Sequence, residues 1–239
     1  YEQLVDGKKI YVDMSDVIYD NYKNLNLDCL VVIGGDGTMR MSKEVSDATG
    51  INVIGVPKTI DNDIVGTDLT FGFSSAVDIA TEALDRLHST AESHHRVMIL
   101  EVMGRDAGWI SLYAGIAGGA DVILIPEISY SLTKIEETIL NRIKRGKLFS
   151  LIIVAEGVKN PQGEAVVREV VERDIELVKL GGISNWLART IQDMTGIESR
   201  ATILGHLQRG GSPNSFDRVF CTQLGAQAVD LIHEGIFQH

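Results

Sequence analysis

An uninterrupted apolar stretch that ends in a glycine-rich turn constrains the fold of this chain more than any other feature. Residues 28–33 read Asp-Cys-Leu-Val-Val-Ile and run directly into Gly34-Gly35-Asp36-Gly37-Thr38. Such a β-branched run predicts a strand buried on both faces, and the glycines after it let the backbone approach a ligand closely. Backbone N–H groups there can cradle phosphate oxygens, and Asp36 can hold Mg²⁺ against them. The stretch therefore predicts a phosphate site, with a plain tight turn as the alternative for this motif alone.

Strands and helices alternate along the rest of the chain. A second strand, 51–56, is followed by Thr59, Asp61 and Asp63, beyond the strand end where open parallel sheets bind ligands. Further strands are predicted at 9–12, 96–102, 121–125, 149–155 and 200–204, and helices at 15–25, 39–49, 133–145, about 165–175, 183–195 and 216–234. This rhythm predicts an α/β fold with two Rossmann-like three-layer domains, mainly parallel sheets and the active site in the cleft between them.

Capping signals predict where several helices begin and end. Ser75 with Asp78, and Thr133 with Glu136, have the spacing of an N-terminal capping box. Gly50 follows the predicted helix 39–49 in the position that a left-handed C-terminal cap favours.

Charge and composition exclude several function classes. The net charge of -11 argues against a general affinity for nucleic acid or for an anionic membrane, although a local basic pocket for a phosphorylated substrate remains compatible with it. Two cysteines give no disulfide framework and fit a reducing compartment. Because no apolar run reaches membrane-spanning length and no signal peptide is recognised, the expected location is the cytoplasm.

Four predicted strand ends carry reactive or phosphate-seeking side chains. These are Asp36, then Asp61 with Asp63, then Arg105, and finally Glu156. Carboxylates around a transferring phosphoryl group can hold Mg²⁺ or accept the proton of an attacking hydroxyl, and an arginine can stabilise charge on the equatorial oxygens. The combination indicates a kinase.

With these motifs in place, the chain closely resembles the phosphofructokinase family. The resemblance runs in family order through 34–38, 57–63, 103–105, 125–127, 156–157 and 204–213. It implies phosphoryl transfer from Mg-ATP to the 1-hydroxyl of fructose 6-phosphate, giving fructose 1,6-bisphosphate in glycolysis. Asp61 would accept the proton, Thr59 and Arg105 would steady the phosphoryl group, and Asp63 would help organise the metal and the hydroxyl. Asp36 would serve Mg²⁺, and the backbone of Gly34, Gly35, Asp36, Gly37 and Thr38 would receive the donor.

The resemblance also implies a substrate site shared between subunits. The residues expected around the sugar phosphate are Thr59, Asp61, Met103, Gly104, Arg105, Glu156, His206 and Arg209, with Arg96 and Arg200 reaching in from a neighbouring subunit of a dimer or tetramer. Arginines and a histidine can neutralise the 6-phosphate, and Glu156 can accept hydrogen bonds from sugar hydroxyls.

Two positions bear on the phosphoryl donor. Gly37 favours ATP, because pyrophosphate-using members of the family have an aspartate there that crowds the nucleotide. Lys58 points toward pyrophosphate, although some ATP users also carry lysine before the threonine. A pyrophosphate-dependent or dual-donor enzyme is therefore the nearest alternative, and an NAD or lipid kinase with a similar glycine turn is a more distant one.

The resemblance further predicts domains and regulation. The donor-binding domain is expected at 1–72 with 208–239, incomplete at both chain ends, and the sugar-phosphate domain at 73–207. Asp121, Arg145 and Lys147 match positions of an allosteric effector site, whereas a basic helix end complementing the macrodipole is the alternative for the two cations. A non-catalytic regulatory subunit that binds sugar phosphate is the alternative from outside the enzymes.

Overall fold

The chain forms an α/β structure of alternating strands and helices. The computed structural model describes residues 2–5, 8–163, 167–170, 178–180 and 182–237. The strands are β1 (Glu2–Val5), β2 (Lys8–Tyr11), β3 (Leu30–Gly34), β4 (Val53–Thr59), β5 (Phe71–Gly72), β6 (Val97–Val102), β7 (Val122–Leu124), β8 (Ser150–Ala155), β9 (Val167–Val170), β10 (Val178–Leu180) and β11 (Ser199–Ile203). The helices are α1 (Ser15–Asn24), α2 (Asp36–Thr49), α3 (Phe73–His94), α4 (Trp109–Ala117), α5 (Leu132–Lys144), α6 (Ile183–Thr195) and α7 (Ser215–Glu234), with a 3-10 helix at Gly205–Arg209.

These elements divide into two compact units. The first comprises Tyr1–Thr59, Asp63–Phe71 and Ser215–His239, and the second comprises Ile60–Asn62 and Gly72–Asn214. The functional assignment of the two predicted domains, and the cleft expected between them, stay predictions.

The first unit is built on a sheet with strand order β3-β4-β5. β3 and β4 run parallel, with Leu30 opposite Val53 and Gly34 opposite Pro57. Val53 packs against the α1 residue Tyr22 on one face, whereas Ile54 and Val56 pack against Ala228 of α7 on the other. β4 is therefore covered on both faces, as a three-layer arrangement requires.

The prediction that the first apolar run is buried on both faces is wrong for β3. Leu30 and Val32 pack beside Tyr22, but the side chains of Val31 and Ile33 point to the other face and are 44% and 58% exposed. The reason is that β3 lies at one edge of this sheet and α7 covers β4, so one face of β3 has no helix over it in the described residues.

The second unit contains a parallel sheet with strand order β11-β6-β8-β7. On one face, Ile99 and Ile152 pack in a core with Ile139 of α5 and Leu187 of α6. On the other face α3 covers the sheet, with Ala91 against Met98 and Leu151. All six residues of β6 and of β8 are buried, so here the predicted doubly covered strands are confirmed.

Three helix starts differ from the sequence predictions. α2 begins at Asp36 after Gly35, so Gly37 and Thr38 lie in its first turn and not in a loop. α3 begins at Phe73, and Ser75 and Asp78 instead receive hydrogen bonds from the backbone and side chain of Asn214, so the predicted capping box is wrong.

α5 is capped by a residue that the sequence prediction passed over. It begins at Leu132, and the hydroxyl of Ser131 accepts a hydrogen bond from the Lys134 N–H, so Thr133 lies inside the first turn and is not the cap. Gly50 does end α2 with a φ of 72°, as predicted.

The helix expected around 165–175 is also wrong. Val167–Val170 form β9, which pairs with β10 in antiparallel fashion, and residues 171–177 lie outside the described residues. Among the described residues no helix is both long enough and apolar enough to cross a bilayer.

Candidate active site

The glycine turn of the first unit packs tightly at the carboxyl end of β3. A Cβ atom on Gly34 would lie 2.5 Å from the Cβ of Thr38, so a larger residue could not stand beneath the first turn of α2. The first N–H groups of this 14-residue helix have no intrahelical acceptor and carry the positive end of its dipole. The predicted phosphate turn is thus the amino end of a helix, which favours an anion.

The end of β4 lies beside this turn. A Cβ on Gly35 would stand 3.7 Å from both the Thr59 Cβ and the Lys58 carbonyl oxygen, which is ordinary contact. The Thr59 carbonyl in turn accepts a 2.8 Å hydrogen bond from the Thr70 hydroxyl. At Gly37 no atom lies within 4 Å of the Cβ position, so the space that an aspartate would fill is open.

The acidic residues of the first unit are suited to a metal ion that is also bound by the phosphate groups of a ligand. Asp36 and Asp63 are exposed, and the described residues contain no group of three or more His, Cys, Asp or Glu side chains that could hold a metal ion by themselves. Mg²⁺ is typically bound by one or two carboxylates together with substrate phosphates, and Asp36 at the start of α2 fits that role.

In the second unit, three strand ends come together at one edge of the sheet. Val102 lies opposite Ala155 in the neighbouring strand, and Glu101 lies opposite Ile203. The residues that follow these strands, Met103, Glu156 and Leu204 onward, therefore share the carboxyl edge where α/β sheets bind ligands. The structure thereby places Met103, Gly104, Arg105, Glu156, His206 and Arg209 at one sheet edge, and their roles in binding a substrate stay predictions.

The turn that carries Arg105 is held in an unusual backbone conformation. Gly104 has a φ of 137°, and Arg105 has a φ of 50°, which is uncommon for a residue with a side chain and costs about 1–3 kcal/mol. The Arg105 N–H donates to the Glu156 carboxylate at 3.2 Å. A Cβ on Gly157 would lie 1.9 Å from the Arg105 carbonyl oxygen, so this backbone passes directly over that glycine. The residues that directly follow β8 therefore hold this turn in place.

Gln208 is a residue that the sequence reasoning missed. Its side-chain Oε1 accepts a 2.6 Å hydrogen bond from the Met103 N–H, and the residue is 2% exposed. Among the described residues its Nε2 has no hydrogen-bond partner. Gln208 thus ties the end of β6 to the 3-10 helix that carries His206 and Arg209. Its neighbours in the motif were the available signal, but burial in an irregular segment is not visible in a sequence.

Charged groups meet at the Glu156 carboxyl. Burial raises the pKa of Glu156, the hydrogen bond from Arg105 lowers it, the negative charges of Asp61 and Glu101 raise it, and Arg209 lowers it. The net direction is upward. Asp61 and Arg209 are therefore close enough to this carboxyl to affect its ionisation.

Arg96 and Arg200 lie at the other end of the same strands. Arg96 directly precedes β6, and Arg200 lies opposite Met98 near the start of β11. Because a strand rises about 3.3 Å per residue, Arg96 stands roughly 23 Å from Met103 along β6. The structure does not bring these two arginines together with Glu156 of the same chain, and their contribution to a neighbouring subunit stays a prediction.

Of the possible effector residues, Asp121 is engaged within the unit. Its carboxylate pairs with Arg142 at 2.5 Å and accepts the Leu151 N–H at 2.9 Å, and burial raises its pKa. Arg145 and Lys147 are exposed at the carboxyl end of α5. The effector site stays a prediction.

Comparison with known proteins identifies the family of the chain. The sequence profile of the phosphofructokinase family matches residues 6–232. The chain belongs to the phosphofructokinase family. It is 54% identical over 232 residues to an ATP-dependent 6-phosphofructokinase 2 of Clostridium perfringens, which covers 97% of this chain and 63% of that protein. It is 47% identical over 220 residues to a pyrophosphate–fructose 6-phosphate 1-phosphotransferase of Streptomyces coelicolor, covering 92% of this chain and 64% of that protein.

Solved structures of phosphofructokinases share the fold of this chain. Phosphofructokinase from Saccharomyces cerevisiae has a TM-score of 0.74 and 32% identity to this chain, covering 92% of this chain and 31% of that one. The chain spans about six tenths of the length of the curated bacterial phosphofructokinases it matches.

Proposed function

We propose that the protein is an ATP-dependent 6-phosphofructokinase, which transfers a phosphoryl group from Mg-ATP to the 1-hydroxyl of fructose 6-phosphate. The observation that carries the proposal is the convergence at one sheet edge of Arg105, Glu156 and Arg209, with the charge of Asp61 acting on the same carboxyl. A carboxylate beside a half-buried carboxyl and two arginines is suited to accepting a proton and neutralising phosphate.

Each group has a role in this reaction. Asp61 accepts the proton of the attacking hydroxyl, and Arg105 stabilises negative charge on the transferring phosphoryl group. Thr59 lies beside the glycine turn and contacts the phosphoryl group, Asp63 helps to organise the metal, and His206 with Arg209 binds the 6-phosphate. Asp36 would hold Mg²⁺ together with the donor phosphates, and the ion would supply charge neutralisation there.

ATP is proposed as the donor because Gly37 leaves its side-chain space open and because relatives at about half identity are named ATP-dependent. Pyrophosphate is the second candidate, supported by Lys58 and by the Streptomyces relative named for it. Formation of fructose 1,6-bisphosphate is measured with each donor in turn. Turnover with pyrophosphate alone would refute the ATP assignment.

Asp61→Asn tests the chemistry. Loss of a general base should lower kcat by a factor of about 10² or more, while calorimetric affinity for fructose 6-phosphate stays near the wild-type value. Unchanged kcat in this variant would remove Asp61 from the mechanism, and a regulatory subunit that only binds sugar phosphate would show binding without turnover in either protein.

A further inference from the structure

The turn that follows β6 is held at its far end by a second carboxylate, that of Glu127. The Gly108 N–H donates a 2.8 Å hydrogen bond to the Glu127 Oε1 atom. Gly108 is buried at the amino end of α4, where a backbone N–H has no acceptor within the helix. A buried N–H that loses its acceptor is unfavourable. Glu127, which lies just after β7, therefore satisfies a donor that the helix itself cannot satisfy.

The amino end of α4 also packs closely against the residues at the end of β7. A Cβ on Gly108 would lie 2.4 Å from the Ile125 Cβ and 2.6 Å from the Glu127 Oε2 atom. One turn further along the helix, the buried Ser111 hydroxyl donates to the Leu124 carbonyl at 3.1 Å. Close contact and two hydrogen bonds therefore fix the start of this helix in place.

Arg105 lies in the short segment between β6 and this fixed helix end. The Ala107 N–H donates to the Gly104 carbonyl at 2.8 Å, which closes the turn. The φ of 50° at Arg105 is unfavourable for a residue with a side chain and persists only where the surrounding structure holds it. Glu156 holds one side of the turn through the Arg105 N–H, and Glu127 holds the other side. Loss of either carboxylate would let the strained backbone relax.

The position of the Arg105 side chain depends on this backbone. The side chain is 67% exposed, and its ion pair with Asp106 has a distance of 3.8 Å. An exposed ion pair of this kind restrains a side chain little. The backbone of the turn therefore decides where the guanidinium begins and which way it extends.

We propose that Glu127 is a positioning residue for Arg105. Its carboxylate fixes the end of the turn, so that the guanidinium extends toward the transferring phosphoryl group. This inference rests on the proposed function, in which Arg105 stabilises negative charge on that group. The proposal gives Glu127 no contact with the substrate, because its effect is transmitted through the backbone from Gly108 to Arg105.

Two substitutions of Glu127 test the proposal. Glu127→Ala removes the acceptor, whereas Glu127→Gln keeps an oxygen that can accept from the Gly108 N–H. At saturating donor, we expect kcat to fall about tenfold in Glu127→Ala because a catalytic group is displaced, with KM for fructose 6-phosphate changed less than about threefold. Glu127→Gln should keep kcat within about threefold of the wild-type value. Wild-type kcat in Glu127→Ala, or an equal loss in both variants, would overturn the proposal.

Ser131→Ala is the matched control. The Ser131 hydroxyl accepts from the Lys134 N–H at the amino end of α5, so this variant also removes a side-chain acceptor from a helix end of the same unit. Both alanine variants should lower Tm by about 2–4 °C, but Ser131→Ala should keep the wild-type kcat. If kcat fell equally in the two variants, loss of stability would explain the effect, and Glu127 would have no positioning role.

A double-mutant cycle decides whether Glu127 acts through Arg105. Arg105→Ala should lower kcat strongly, and adding Glu127→Ala should lower it by less than about twofold more, because the group that Glu127 positions is already gone. If the two losses multiply, the inference about Glu127 is wrong while the proposed function stands. If Arg105→Ala keeps wild-type turnover, or if the wild-type protein has no turnover with either donor, the proposed function fails and the inference fails with it.

Discussion

Gly157→Ala should disturb the turn of Arg105, the arginine proposed to act in catalysis, because Gly157 lies directly beneath that turn just after β8. The added Cβ would lie 1.9 Å from the Arg105 carbonyl oxygen and 3.0 Å from its carbonyl carbon, whereas ordinary contacts are 3.4–4 Å. The backbone of the Arg105 turn must therefore move by about 1 Å or more, because a carbonyl cannot rotate away as a flexible side chain does.

The cost has two parts that can be measured separately. Overpacking of this kind destabilises a protein by about 1–3 kcal/mol. That corresponds to a lowering of Tm by about 2–4 °C per kcal/mol for a chain of this size. Displacement of a catalytic group by about 1 Å can lower kcat by about 10²-fold. The assays are thermal unfolding and turnover of fructose 6-phosphate at saturating donor.

Gly225→Ala is the matched control for this experiment. Gly225 lies within α7, and no atom lies within 4 Å of its Cβ position. The same added methyl group should there stabilise the protein by up to about 1 kcal/mol, since alanine favours a helix more than glycine does. If Gly157→Ala matched the wild type in both Tm and kcat, the close approach of Arg105 to Gly157 would not constrain the site.

Three further predictions concern other contacts. Ser131→Ala should destabilise the protein by about 1 kcal/mol in chemical denaturation through loss of the α5 cap, whereas Thr133→Ala should change stability less; the reverse order would contradict the capping assignment. Gln208→Leu should raise KM for fructose 6-phosphate and lower kcat, because the Met103 N–H loses its acceptor; steady-state kinetics at wild-type values would refute the coupling. The raised pKa of Glu156 means that its carboxylate is protonated at a higher pH than an ordinary glutamate, so affinity for fructose 6-phosphate should fall as pH falls through that range, and the Glu156→Gln variant should lack this part of the profile.

The sequence predicts the structure best where a local pattern is compatible with only one kind of element. The bounds 183–195 for α6 are correct because Ile183, Leu187 and Ile191 recur at helical spacing between Gly182 and Gly196, both of which adopt positive φ. The candidate site residues at strand ends were recognisable for a similar reason, since parallel strands bring their carboxyl ends to one edge.

Other features depend on contacts between distant parts of the chain. In the segment 164–171, runs of two or three apolar residues lie between charged residues, a pattern that fits either a strand or a helix, and only the pairing of β9 with β10 decides between them. The exposure of Val31 depends on which strand α7 covers. Gln208 accepts a hydrogen bond from Met103, which is 105 positions away, so no local spacing predicts this contact.

The placement of Arg96 and Glu156 at opposite ends of neighbouring strands has a consequence for how the protein responds to dilution. If a working site needs side chains from two molecules, specific activity must fall once the protein concentration drops below the dissociation constant of the assembly. The total reaction rate would then rise more steeply than in proportion to the protein concentration. A ligand that contacts two chains would stabilise the assembly against dissociation.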